Sequence, residues 1–345
     1  MALTGTVNAA CINYHPGPVA VPAEQTAGAP AQIWTSHAGR TIGAPVAVQD
    51  GMIYAAGVDR VVHAITLDSG RVRWGFRLTG TLLSGVVRAD SSVYAASARP
   101  IGHVVALSAA TGRKWWSADV GEVAAPLSLV GGFLLVPTRK GELVALEPAT
   151  GKLRWRRRIG VARSSAVPAG DRIVVASLDS IYLMSPADGS ILQRRPMRGV
   201  VLGGWRESGD LLIGATTDST IVALRISDLS RVWTARLDAP AFTAPALRGD
   251  TAFVMTRIGS LYRVAISSGA AEQFATLAWP ATAGPTLYQD GFLVGGADGT
   301  VRGLDGDGRE LWRIAVWRPV DVAPILLDDG FLVIGGNGDF HRYAR

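Results

Sequence analysis

Cysteine and lysine are scarce in this chain of 345 residues. Cys11 is the single cysteine, so no disulfide can form within the chain, and cysteine usage does not identify a redox compartment. Lysine occurs only at positions 114, 140 and 152, and the other basic residues are arginines spread over the whole length. The formal net charge of +6 is compatible with several kinds of anionic partner. Because no basic helix or aromatic–basic module accompanies this charge, we expect no nucleic-acid binding.

Long hydrophobic runs are also missing. The best apolar stretch, residues 126–137, is interrupted by Gly131 and Gly132. It is shorter than the roughly 18 apolar residues that a membrane-spanning helix requires. The sequence therefore predicts no transmembrane helix.

Motifs of the common enzyme classes are absent as well. The histidines show no HxxxH spacing, and the glycines do not form a phosphate-binding loop or a GxSxG nucleophile turn. Five aspartates near the C-terminus could form a carboxylate site, but each stands in a turn-like context where aspartate usually bonds to the backbone. They are Asp298, Asp305, Asp307, Asp328 and Asp329. We therefore expect neither catalytic nor metal-binding residues.

The dominant feature of the sequence is an internal repeat. Its clearest copy is GELVALEPATGKLRW at residues 141–155, with related stretches at 59–74, 102–116, 218–233 and 298–312 and weaker ones at 180–193 and 259–273. The turn positions of these copies are 38 to 42 residues apart. They are Gly70, Gly112, Gly151, Gly189, Leu229, Gly269 and Gly308. A regular period near 40 residues is typical of a propeller or a repeat array.

Each repeat contains enough strand signals for one four-stranded blade. The segments before the copies, such as residues 125–137 and 323–336, add short apolar strands joined by Asp-Gly or Gly-Gly turns. The last unit lacks a fourth strand, whereas Trp34 lies in register with the repeat, 40 residues before Trp74. The sequence predicts an all-β, eight-bladed propeller of four-stranded blades, closed by pairing of the N-terminal strand at residues 31–34 with the C-terminal strands.

Tryptophan recurs at one position of the repeat. We expect these side chains to pack between blades, with the indole N–H bonded to a backbone carbonyl, rather than to form a ligand cage. The structural set is Trp34, Trp74, Trp116, Trp155, Trp233 and Trp312. The glycines of the repeat, as in Thr150-Gly151, have the positive φ that tight turns need.

The pattern ALxxxTGxxxW, which Ala145-Leu146 through Trp155 match without a gap, resembles the tryptophan-docking repeat of pyrroloquinoline-quinone (PQQ) propellers. The resemblance extends over about residues 31–345. It points to two branches, the quinoprotein alcohol dehydrogenases and the small BamB-like lipoproteins. In the dehydrogenase branch, the resemblance implies adjacent cysteines in a ring disulfide, carboxylate and asparagine ligands for Ca²⁺ and a catalytic aspartate. One cysteine cannot form that disulfide, and no CxxCH haem motif is present, so we expect a non-catalytic chain without cofactors.

The first 30 residues are rich in Ala, Gly and Pro and predict a flexible tail before a single propeller domain at residues 31–345. The stretch Val7-Asn8-Ala9-Ala10-Cys11 resembles a lipobox, with Asn8 at the place usually held by leucine. We interpret Cys11 as a possible lipid acceptor and the tail as the possible remnant of a lipoprotein signal. The alternative is a tail that is never processed.

Similarity to the BamB branch implies a periplasmic protein at the outer membrane, attached by a lipid anchor or through its partner. The implied partner is the set of POTRA domains of the barrel-inserting protein. In that branch, a contact loop after the third complete repeat carries Leu-x-Leu-Arg. Here the matching residues are Gly160-Val161-Ala162-Arg163, so only Arg163 carries over. The family's neighbouring acidic contact segment falls at residues 199–205, which contain no Asp or Glu.

A basic segment around this loop is the candidate protein-binding site, because arginine pairs with carboxylates and stacks on aromatic rings at interfaces. Its proposed contact residues are Arg156, Arg157, Arg158, Val161 and Arg163. The alternative interpretation is that this basic segment is the solvated end of a strand and binds no partner. Two other functions stay open, namely a structural or accessory subunit of a different membrane-associated complex and a ligand-sensing propeller that uses its central channel.

Overall fold

The computed structural model describes residues 26, 28–39, 46–99 and 102–345. In these residues every regular element is a β-strand, and the 32 strands form eight separate four-stranded antiparallel sheets. Each sheet is one blade, so the predicted all-β, eight-bladed propeller is confirmed. The described part of the chain has no helix with the length and apolarity needed to cross a bilayer.

The blades follow one another in chain order. Blades 1 and 2 consist of β2 (Ala47–Gln49), β3 (Met52–Ala56), β4 (Val61–Thr66), β5 (Val72–Arg77), β6 (Thr81–Ala89), β7 (Ser92–Arg99), β8 (His103–Ser108) and β9 (Lys114–Asp119). Blades 3 and 4 consist of β10 (Ser128–Val130), β11 (Phe133–Pro137), β12 (Glu142–Leu146), β13 (Leu153–Arg158), β14 (Val167–Ala169), β15 (Arg172–Ala176), β16 (Ser180–Met184) and β17 (Ile191–Pro196).

The second half of the ring has the same arrangement of four strands in each blade. Blades 5 and 6 consist of β18 (Arg206–Ser208), β19 (Leu211–Ala215), β20 (Thr220–Arg225), β21 (Arg231–Arg236), β22 (Ala246–Arg248), β23 (Thr251–Met255), β24 (Ser260–Ala265) and β25 (Ala271–Thr276). Blades 7 and 8 consist of β26 (Ala281–Tyr288), β27 (Gly291–Gly296), β28 (Thr300–Leu304), β29 (Glu310–Ala315), β30 (Ile325–Leu327), β31 (Gly330–Ile334), β32 (Asp339–Ala344) and β1 (Gln32–His37).

The ring closes through its N-terminal strand, as predicted. β1 pairs antiparallel with β32, with Thr35 opposite His341 and Ser36 opposite Phe340. The strand order β1-β32-β31-β30 makes β1 the fourth strand of blade 8. This pairing covers the strand edge that the C-terminal blade would otherwise expose.

Position within a blade explains the sequence pattern of each strand. First strands of neighbouring blades contact one another, which places them at the centre of the ring and the fourth strands at its outer wall. Middle strands such as β12 and β31 are almost entirely buried, because each blade stacks on two neighbours, and they are continuously apolar for that reason. The buried apolar residues form eight clusters among the described residues, each at the junction of two adjacent blades.

Five of the repeat tryptophans make one common contact. The indole Nε1–H donates to a backbone carbonyl of the next blade at 2.7–2.9 Å. The pairs are Trp34 with Leu67, Trp74 with Ala109, Trp116 with Pro148, Trp155 with Pro186 and Trp233 with Ile266. Each ring also covers a turn glycine. A Cβ at Gly151 would lie 2.4 Å from the ring of Trp116, and φ there is +72°, so both sterics and backbone conformation demand glycine.

Two features depart from this regularity. Trp312 covers Gly303 of its own blade and stacks on Phe331 of the next, with ring centroids 6.0 Å apart.

Thr26, within the segment predicted to be a tail, contacts the outer strand of blade 7. Its N–H donates to the Arg313 carbonyl at 3.2 Å, and its Oγ1 accepts from the Arg313 N–H at 2.8 Å.

Candidate functional site

One face of the ring, which we call the loop face, consists of two kinds of loop. One kind is the turn between the second and third strands of a blade, and the other is the connection from the outer strand of one blade to the first strand of the next. The two are bonded together: the N–H of Arg139 in a blade 3 turn donates to the Glu122 carbonyl in the preceding connection at 2.7 Å. The same contact joins Thr217 to Val200 and Arg257 to Pro240. Residues far apart in the repeat are thereby brought side by side.

Three of the predicted contact residues lie on the outer wall rather than on the loop face. Arg156, Arg157 and Arg158 belong to β13, the outer strand of blade 3, and all three are exposed. Arg156 forms an ion pair with Glu142 of β12, with Nη1 and Oε2 3.2 Å apart. Arg157 donates to the carbonyl of Arg156 at 3.2 Å. Exposed pairs of this kind contribute little to stability, so the segment is available to a partner.

The other two predicted residues lie on the loop face, in the connection from blade 3 to blade 4. Val161 and Arg163 are half-buried and flank Ala162, which forms a β-bridge with Ser177 in a turn of blade 4. Burial lowers the pKa of the Arg163 guanidinium, and the positive charge of Arg139 lowers that pKa further. The structure therefore places Arg139 of a blade 3 turn and Arg163 of the connection that follows blade 3 near each other.

Sequence reasoning missed two residues of this region. Arg139 precedes the clearest repeat copy, and its Nε lies 3.3 Å from the Glu122 carboxylate. Leu178 follows Ser177 and has 46% of its side chain exposed, beside the connection that carries Arg163. Aligning the blade turns with the connections that contact them would have identified both. We call Arg139, Val161, Arg163 and Leu178 the blade 3–4 patch.

Residues 199–205, where the BamB branch has an acidic contact segment, lie in the connection from blade 4 to blade 5. Trp205 is buried there, so it contributes to the core and not to the surface. A carboxylate does lie next to the segment, because a Cβ at Gly199 would come within 2.6 Å of Asp218 Oδ1. Asp218 is in the blade 5 turn, and its Oδ1 accepts hydrogen bonds from the hydroxyls of Thr220, at 2.9 Å, and Thr216.

Further apolar side chains stand exposed on the loop face. Val58 and Ile258 lie in turns of blades 1 and 6, and Trp317 lies in the connection from blade 7 to blade 8. Trp317 is 62% exposed, the highest value among the large apolar side chains of the described residues. Tryptophan and arginine are enriched among residues that carry binding energy at interfaces. The loop face therefore exposes apolar and aromatic side chains as well as arginines.

The side chains that could ligate a metal are dispersed among the described residues. Among them, no three His, Cys, Asp or Glu side chains lie close enough together to hold a metal ion. Asp298 is buried and bonded to Arg302 at 2.6 Å, and Asp305 accepts N–H groups of its own turn. Asp307 and Asp329 pair with Arg263 and Arg342. Cys11 lies outside the described residues.

Solved structures of three kinds are similar to this chain. BamB from Moraxella catarrhalis has a TM-score of 0.79 at 16% identity, with 92% of this chain and 98% of that chain covered. The computationally designed Ika8 protein gives 0.75 at 14% identity, with 90% and 98% covered. Quinohemoprotein alcohol dehydrogenase ADHIIG from Pseudomonas putida HK5 gives 0.72 at 14% identity, with 91% and 76% covered. At such identities the likeness shows the fold alone.

Comparison with curated protein sequences finds no significant match. The family model described as outer membrane protein assembly factor BamB, in contrast, matches residues 26–128, 100–192 and 179–323. These ranges together extend over most of the chain and nearly all of the propeller. The chain therefore belongs to the BamB family of PQQ-type propellers.

Proposed function

We propose that this propeller is a non-catalytic protein-binding scaffold of the bacterial envelope, working in the assembly of outer-membrane β-barrel proteins. Its partner in this proposal is a POTRA domain of the barrel-inserting protein. The observation that carries the proposal is the match to the BamB family model over residues 26–323. The blade 3–4 patch provides a surface on which such a partner can bind.

Electrostatics favours an acidic contact at this patch. The positive charges of Arg139 and Arg163 repel each other. Glu122 forms an ion pair with Arg139, and no ion pair within the described residues includes Arg163. A partner carboxylate between the two guanidinium groups would relieve that repulsion, and arginine binds carboxylates in a planar, bidentate geometry. Leu178 and Val161 supply apolar area beside the charges, so the patch combines both elements of an interface.

The proposal includes a periplasmic, membrane-associated location. Acylation of Cys11 would anchor the chain at the outer membrane, and binding to the partner would be the second route of attachment. Replacement by Cys11→Ser, followed by membrane fractionation, tests the anchor.

The absence of catalysis is part of the same proposal. The single cysteine excludes the ring disulfide of the quinoprotein dehydrogenases. Four of the five aspartates noted in the sequence bond to arginines or turn backbone, namely Asp298, Asp305, Asp307 and Asp329. We therefore propose no cofactor. Assay of the purified protein for alcohol oxidation with added PQQ and Ca²⁺ tests this part, and activity would contradict it.

Affinity purification from detergent-solubilised membranes, read by mass spectrometry, tests the partner class. Stoichiometric recovery of a POTRA-containing barrel-assembly protein is the expected result. Recovery of an unrelated membrane complex instead would favour the accessory-subunit function. Recovery of the propeller alone, with a small molecule retained in its channel, would favour ligand sensing.

A further inference from the structure

The junction between blades 4 and 5 lacks the tryptophan–glycine pair that joins other blades. Gln193 lies opposite Leu183 in β16, the same register in which Trp155 lies opposite Ala145 and Trp233 opposite Ala223. Leu229 occupies the position of the turn glycine and keeps its positive φ of 57°. Where the pair is present, a side chain on the glycine would clash with the tryptophan ring. Glutamine at the tryptophan position and leucine at the glycine position are therefore complementary, because a tryptophan at position 193 would occupy the space of the Leu229 side chain.

These exchanges coincide with an open groove at the junction. The Leu229 side chain is buried against Val222 and Leu224 of β20, within the blade 4–5 cluster. A cavity of about 590 Å³ is lined by these residues together with parts of β17 and β21. Volumes of this size are typical of ligand-binding clefts. We call this cavity the blade 4–5 groove.

The rim of the groove is strongly basic. It is lined by Arg195, Arg198, Arg231 and Arg236, all exposed, and by one carboxylate, that of Asp218. Asp218 Oδ1 is already bonded to threonine hydroxyls of its own turn.

The nearest ion pairs do not include these arginines. In the described part of this region, the pairs are Arg194 with Asp179 and Arg225 with Asp210, neither of which includes a groove arginine. Of the four, Arg195 donates to the backbone carbonyl of Asp228 at 3.3 Å. Hydrogen bonds from Ser230 and the nearby charge of Arg195 lower the pKa of the Asp228 carboxyl, so that carboxylate offsets part of the Arg195 charge. The groove thus has an apolar floor and an excess of positive charge on its walls.

We propose that the blade 4–5 groove binds an acidic, extended peptide segment of a partner protein, with one large apolar side chain on the Leu229 floor. Arg195 and Pro196, the last two residues of β17, line the groove together with Met197 and Arg198. These four consecutive residues give a length of about 13 Å for an extended segment. As the outer strand, β17 also has one edge unpaired in its sheet, where a peptide backbone can add as a further strand.

The shape of the groove favours a peptide over a membrane surface. Its arginines stand on two facing walls, Arg195 and Arg198 at the end of blade 4 and Arg231 and Arg236 on β21. A chain between the walls can pair with both, whereas a flat lipid surface would contact only the rim. The floor lies between two blades and suits a single inserted side chain. The site is separate from the blade 3–4 patch and goes beyond the function proposed above.

Fluorescence anisotropy with a labelled probe peptide tests this proposal on the full chain. The probe alternates Glu with Val around a central Trp, and its matched control has Gln in place of every Glu. We expect micromolar binding of the acidic probe at low salt and at least about tenfold weaker binding of the control. The double variant Arg231→Glu with Arg236→Glu should reduce binding at least about tenfold, and Arg73→Glu, on the outer strand of blade 1, should leave it unchanged.

A second variant closes the groove without changing its charge. Gln193→Trp with Leu229→Gly recreates the tryptophan–glycine pair that is present at five other junctions, so the protein should remain folded and lose probe binding. Circular dichroism checks the fold, and if this variant unfolds, the arginine variant alone decides the question.

The proposal is overturned if no acidic probe binds up to about 1 mM, or if the closed, folded variant binds as well as wild type. Arginine-dependent binding of phosphatidylglycerol vesicles without peptide binding would assign the groove to lipid instead. Binding of a POTRA partner at the blade 3–4 patch is read separately, so either proposal can fail alone.

Discussion

The Nε1–H of Trp34 donates a 2.9 Å hydrogen bond to the carbonyl oxygen of Leu67, which fixes β1 to blade 1 as well as to blade 8. Arg342 of β32 donates to the same carbonyl at 2.8 Å. Its other Nη reaches Asp329 at 2.6 Å. One backbone oxygen thus joins the outer strand of the last blade, its neighbouring strand and the first blade.

Deletion of residues 31–36 should therefore destabilise the whole ring. The deletion removes the fourth strand of blade 8, the Trp34 contact and the cover over the β32 edge. We expect the melting temperature to fall by on the order of 5–10 °C and aggregation to increase. Calorimetry of the purified protein checks this, and an unchanged melting temperature would disprove the role of β1 in closure.

Trp115 and Trp116 form a matched pair for the docking contact. Trp116 donates to Pro148 and covers Gly151, whereas Trp115 is 47% exposed on the same strand. We expect Trp116→Ala to lower the free energy of unfolding by about 3 kcal/mol and Trp115→Ala to change it by no more than about 0.5 kcal/mol. Urea titrations measure both. Equal losses would mean that the docking position has no special packing role.

His341 predicts a pH dependence at the closure. Burial lowers the pKa of this imidazole below its ordinary value of 6.5, although the charge of Asp339 opposes the shift. Below pH 6.5 the unfolded chain accordingly binds a proton that the folded chain excludes, so stability is lost as the pH falls through this value.

We expect the urea midpoint of wild type to fall between about pH 7.5 and about pH 5.5 by more than that of His341→Gln. The difference between the two slopes isolates His341 from the other titrating groups. Parallel slopes would contradict the account. Asp339 does not interfere in this range, because its pKa is already lowered: burial opposes the shift, but hydrogen bonds from His37 and Asn337 outweigh it.

The ring could be derived from the sequence because its chemistry repeats. The spacing of Trp34 from Trp74 revealed both the eighth blade and its closure, since each tryptophan must meet a turn of the next blade at a fixed register. The interfaces could not be derived in the same way. Leu178 lies next to the Ala162–Ser177 bridge beside Arg163 only because connections bond to blade turns, which a linear pattern does not display.

The groove escaped prediction for a related reason. Gln193 ends a weak repeat copy and Leu229 lies in the next copy, at 218–233, and only their shared junction makes the two exchanges complementary. Trp317 likewise has no counterpart in the repeat, and it is exposed at a position with a positive φ of 60°. These three residues could not be assigned a role from the repeat, because each one departs from it.

The most direct test of the proposed function is calorimetric titration of the propeller with the purified POTRA domains of the barrel-inserting protein from the same organism. Arg163→Glu should weaken binding by about 1–3 kcal/mol, or roughly 5- to 150-fold, because it reverses the charge at the centre of the blade 3–4 patch. The matched control Arg73→Glu, with the same change on blade 1, should bind like wild type. Wild-type affinity of a folded Arg163→Glu variant, or no binding of POTRA domains by wild type, would contradict the account.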